Sequence, residues 1–142
     1  MFYHSAYHEV GPFRPPSEGG IHSLLVRATR NCPWNRCKFC SMYKATKFEL
    51  RAVEEIKRDI EAVRRIADGI KEISWKVGAG GKITREVAST GIQIFGETSS
   101  LVNVLEWLLS GAKTAFLQDS NTLIMRTPEL IEVIRCLKQT FP

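Results

Sequence analysis

The sequence predicts an α/β fold built from parallel strands and helical crossovers. Three observations predict it. Residues 21–27 (IHSLLVR) and 113–118 (KTAFLQ) are short apolar runs of strand length. Long segments with helical periodicity lie between and after them. Strand and helix therefore alternate, which places neighbouring strands parallel. Two strands alone neither cover both faces of a parallel sheet nor manage its edges. The expectation is thus the N-terminal portion of a parallel-stranded partial (βα) barrel, truncated after its second unit.

Taken in order, residues 1–20 read as an extended N-terminal arm, because Pro12, Pro15, Pro16, Gly19 and Gly20 interrupt regular structure. His4 and His8, with Tyr3 and Tyr7, lie in this arm and read as a mobile segment, not as a metal site. The first strand follows, then a polar loop carrying three cysteines. Residues 51–73 form the clearest helix, with Val53, Ile56, Ile60, Val63, Ala67 and Ile70 on one stripe. Residues 74–97 contain Gly78, Gly80 and Gly81 and read as a surface crossover with a short helix over 83–89. Its GAGGKIT segment is not a phosphate loop, since Gly81-Lys82 is followed by Ile83 where Ser or Thr belongs. Ser99 or Ser100 caps a helix over 101–109, with Leu101, Val104, Leu105 and Leu108 inward. After the second strand comes the turn Asp119-Ser120-Asn121. Thr127-Pro128-Glu129 then starts a last helix that turns Leu130, Val133, Ile134 and Leu137 inward.

Composition excludes several classes. The chain has 142 residues, 44% of them hydrophobic and 25% charged, with a net charge of +5. No run approaches the roughly 20 apolar residues of a membrane span, and Met1 to Val10 lacks the pattern of a secretory signal. The reading is a cytoplasmic protein with no membrane partner. The basic balance is compatible with a nucleic-acid partner but does not indicate one, because Lys and Arg are spread over several segments.

The chemistry concentrates in Cys32-Pro-Trp-Asn-Arg-Cys37-Lys-Phe-Cys40, with four residues in the first gap and two in the second. Clustered cysteines in a reducing compartment point to metal or redox chemistry. Thiolates select zinc, cuprous copper or iron–sulfur centres. A cubane held by three cysteines leaves one iron open to a cofactor or substrate. Trp34 and Phe39 can shield such a centre, and Arg30, Arg36, Lys38, Lys44 and Lys47 favour thiolates beside it.

The stretch ATRNCPWNRCKFCSMY after an apolar strand resembles the signature loop of the radical S-adenosylmethionine superfamily. The aromatic residue before the third cysteine, Phe39, fits that pattern. The first gap is one residue longer than the family's usual three. The resemblance makes 21–142 the N-terminal part of the family's core domain. It implies a 4Fe–4S cluster on Cys32, Cys37 and Cys40, and S-adenosylmethionine cleaved reductively to a 5′-deoxyadenosyl radical that attacks an unknown substrate. It further implies a reductant such as flavodoxin or ferredoxin. Where the family has a Gly-Gly-Glu type turn for the cofactor's methionine ammonium, this chain has Gln118, Asp119, Ser120 and Asn121. Asp119 is the acid of that turn, and a carboxylate is the best single partner for an ammonium. The rival reading is a zinc-binding structural or nucleic-acid-binding module on the same cysteines. It needs a fourth ligand, Cys136 or His22.

Overall fold

A computed structural model describes residues 6–13 and 20–142; the rest of the expected arm, including Tyr3, His4, Pro15 and Pro16, lies outside the described residues. The chain is mixed α/β. A 3₁₀ turn over Gly20–His22 leads into β1 (Leu24–Arg27), which is followed by β2 (Thr29–Arg30), β3 (Glu49–Leu50), α1 (Val53–Lys76), α2 (Arg85–Phe95), α3 (Ser99–Leu109), β4 (Ala115–Gln118) and α4 (Thr127–Thr140). β1 and β4 pair in parallel, Leu24 opposite Ala115 and Arg27 opposite Gln118. β2 and β3 form a small antiparallel pair, Thr29 opposite Leu50 and Arg30 opposite Glu49.

The parallel pair is the expected one, with both strands shorter than their apolar runs. Residues 20–22 coil into the 3₁₀ turn, and Ser23 hydrogen-bonds Thr114 at 2.8 Å instead of extending the ladder. The β2–β3 pair was not expected. It closes the neck of the cysteine loop, and two residues per strand carry no readable periodicity.

Helix α1 organises the core. Its apolar stripe is wider than a single row: Ile56, Ile60, Val63 and Ile70 are fully buried, and Ile66 and Ile73 nearly so. Fully burying each such side chain stabilises by about 1.5–3 kcal/mol. The stripe packs on β1, α2, α3 and α4. The crossover is more than a surface link. Thr84 caps α2 through Val87 N–H at 3.2 Å, and Val87, Ala88 and Gly91 face the core. A Cβ on Gly91 would lie 2.6 Å from Ile70 Cδ1, so the glycine lets α2 approach α1 closely.

Helix α3 is capped by Thr98, which accepts from Leu101 N–H at 3.1 Å. The serines expected to cap it lie inside the helix. Helix α4 begins with Thr127 already helical and Pro128 in the first turn. Val133 is buried, whereas Ile134, expected inward, is 39% exposed on a helix that packs chiefly against α1. Among the described residues no helix is long and apolar enough to cross a membrane.

Candidate functional site

The parallel pairing sends the chain off the ends of β1 and β4 in the same direction. The cysteine loop and the turn after β4 therefore open on one rim, as in other α/β folds whose ligand loops gather at strand C-termini. The two segments touch. Asn31 N–H donates to Asp119 Oδ2 at 2.5 Å, and Ser120 Oγ donates to Asn31 C=O at 3.1 Å. The pairing continues past the strands through a backbone bond from Ala28 N–H to Gln118 C=O at 2.7 Å and a bond from Asp119 N–H to the Thr29 side-chain Oγ1 at 3.2 Å.

Cys32, Cys37 and Cys40 are free and partly exposed. Asn35, with φ +45°, folds the chain back so that its N–H donates to Cys32 Sγ at 3.3 Å. That hydrogen bond lowers the Cys32 pKa; Ser120, Trp34 N–H and Lys44 act the same way, and burial acts against them. The loop is braced by Asn35 Nδ2 donating to Tyr43 C=O at 2.5 Å and by Lys44 Nζ donating to Asn35 C=O at 3.2 Å. Among the described residues no group of three or more His, Cys, Asp or Glu side chains is gathered to hold a metal ion. The donor set, three free thiols on one short loop, has the chemistry that zinc, cuprous copper and iron–sulfur centres take.

The flanking residues divide. Phe39 is 93% exposed and Trp34 63%, so neither shields the thiols within this chain. Arg36 lies over the Trp34 ring at 5.3 Å. Arg30 is not a solvated loop charge. It binds Glu9 through two nitrogens at 2.8 Å and Glu55 at 2.7 Å, and reaches Glu49 at 3.2 Å. This pairing holds the Glu9 and Glu55 carboxyls below their ordinary pKa. Arg51, almost fully buried, joins the network through Asp59 at 2.7 Å and through Arg27 C=O at 2.7 Å. Burial raises the Asp59 pKa even so.

The turn after β4 divides too. Gln118 is fully buried; its Oε1 accepts from Gly11 N–H at 2.9 Å and its Nε2 donates to Pro12 C=O at 2.6 Å. Asp119 is 3% exposed, and its Oδ2 accepts from Arg27 Nε at 3.0 Å and Nη2 at 2.8 Å. Ser120 and Asn121 face solvent.

The described part of the arm is docked, contrary to the expected mobile segment. His8 is fully buried, its Nδ1 2.7 Å from Ser100 Oγ, and Glu9 N–H donates to Asp59 at 3.2 Å. The ligands needed for zinc stand elsewhere: exposed His22 precedes β1, at the opposite end of the strand from the loop, and Cys136 lies half-buried on α4 against the core.

Sequence reasoning missed Arg27, Asn31 and Glu9. A visible signal was Asn31 itself, a residue type that tolerates the left-handed region, directly before the first cysteine. No family model, curated protein or solved structure matches the chain.

Proposed function

We propose that the chain is the N-terminal part of a radical S-adenosylmethionine enzyme core, acting on a substrate bound elsewhere in the full domain. One observation carries the reading. A loop with three free thiols leaves a strand whose parallel neighbour sends a polar turn onto the same rim, where the two meet at Asn31. Cys32, Cys37 and Cys40 would hold three irons and leave one open to the cofactor. These cysteines would hold a 4Fe–4S cluster whose chemistry, once an external donor had reduced it, would be one-electron reductive cleavage of S-adenosylmethionine to methionine and a 5′-deoxyadenosyl radical.

The chain's own residues supply orientation and exclusion of water. The exposed ring of Phe39 is free to lie against the bound groups. Of the four turn residues, Asn121 faces solvent and would offer its amide to the cofactor's polar methionine end. Gln118, Asp119 and the Ser120 hydroxyl are already engaged within the chain. The basic side chains of Arg36, Lys38 and Lys44 would offset the negative cluster and favour an acidic electron donor of the flavodoxin or ferredoxin type.

Anaerobic reconstitution with iron and sulfide tests this. The expected product is brown and holds about four irons per chain. Cys32→Ala, Cys37→Ala and Cys40→Ala lose it, and Cys136→Ala keeps it. A colourless protein that takes up zinc, or a Cys136→Ala variant that loses iron as fully as the others, overturns the proposal.

A further inference from the structure

We infer that Asp119 and Ser120 are positioning residues that hold the cysteine loop through Asn31, so that the turn after β4 is the template on which the thiols are arranged. All four polar groups of Asn31 are taken. Its N–H donates to Asp119 and its C=O accepts from Ser120. Its Oδ1 accepts from Arg27 Nη2 at 3.3 Å, and its Nδ2 donates to Lys47 C=O at 2.5 Å. Asn31 thus ties the first residue of the loop to its far end, and both to the rim of β4. Its φ of +69° turns the chain sharply just before Cys32. Asn is one of the few L-residues that adopts this conformation readily, and its four hydrogen bonds hold it there.

Asp119 can hold Asn31 because it is itself fixed. Arg27 grips Oδ2 with two nitrogens, Thr29 receives the Asp119 N–H, and Arg27 is steadied by Glu9 at 3.2 Å. The chain runs from the arm through Arg27 and Asp119 to Asn31, then to Cys32. Three thiols meet one centre only if the loop that carries them leaves its strand in a fixed direction, and this contact sets that direction.

The inference rests on the proposed cluster for its purpose, and the test separates the two. In the protein without cluster, hydrogen exchange across residues 32–46 should speed at least tenfold in Asn31→Gly, which keeps the backbone freedom but loses the side chain, and in Ser120→Ala. Exchange in α1 should stay as in the unaltered protein, showing an intact fold. After reconstitution, Ser120→Ala should change the electron paramagnetic resonance spectrum of the reduced cluster and release iron to a chelator at least tenfold faster. Ser120→Thr, which keeps the hydroxyl, should restore both. Unchanged loop exchange in both Asn31→Gly and Ser120→Ala overturns the inference. If the unaltered protein binds no iron while exchange responds as stated, the cluster reading falls and the clasp stands.

Discussion

Single polar side chains carry much of the tertiary order. Asn103 is fully buried on α3, where its Oδ1 accepts from Leu25 N–H at 2.9 Å and its Nδ2 donates to Ser23 C=O at 3.0 Å. It stands in for the neighbouring strand along the edge of β1 away from β4. Buried backbone groups need such partners, and leaving one unpaired costs about 1–3 kcal/mol. Asn103→Leu keeps similar bulk and orphans both groups. Urea unfolding should show a loss of about 2–5 kcal/mol, a large fraction of the roughly 5–15 kcal/mol that stabilises a typical domain. A loss below about 1 kcal/mol would mean that water or a shifted backbone takes the place of the amide.

At the scale of elements, the arm shows how a segment with no regular structure acquires a fixed place. Gly11 lies directly against the β4 turn. A Cβ there would sit 2.3 Å from Asp119 Oδ1 and 3.0 Å from Gln118 Oε1, and both side chains are buried. Gly11→Ala should therefore lift the arm and strip Gln118 of Gly11 and Pro12. The expected cost is about 2–4 kcal/mol from two buried polar groups left unpaired. Amide exchange at Glu9 and Gly11 should accelerate with it; protection equal to that of the unaltered chain would show that the arm docks without this contact. The same contrast explains what the sequence reveals. The stripe of α1 and the thiol cluster are local patterns, legible in a short window. The clasp at Asn31 joins residues 88 and 89 positions apart. Glu9 looks like one more charge in a segment broken by proline and glycine until the fold brings Arg30 to it. The short helix expected over 83–89 runs instead over Arg85–Phe95; Gly78, Gly80 and Gly81 before it read as loop, and nothing local shows that Gly91 lets two helices close.

For the whole molecule, the buried His8 links folding to pH. Burial lowers its pKa from 6.5 to about 4, and the charge of Arg51 pushes the same way. The unfolded chain binds a proton at His8 as pH falls through 6.5, and the folded chain does not until about 4. Stability must therefore drop across that interval, by about 3 kcal/mol in all, at no more than about 1.4 kcal/mol per pH unit. The neighbouring acids act lower down. Glu9 and Glu55, held below the ordinary 4.5 chiefly by Arg30, stabilise the fold above that value and lose the contribution as pH falls beneath it. Asp59, raised above 3.8 by burial, has the opposite sign: the folded state takes up its proton first and offsets part of the loss. Urea midpoints between pH 7 and 5.5 report chiefly on His8, because the Glu side chains of the unfolded chain are still almost fully ionised there. The unaltered protein should lose stability throughout this range, while His8→Gln, a neutral side chain of similar reach, should give a nearly level profile. A level profile in the unaltered protein would show that His8 takes up its proton in the folded state at an ordinary pH, and with it that the arm opens to water well before the core does.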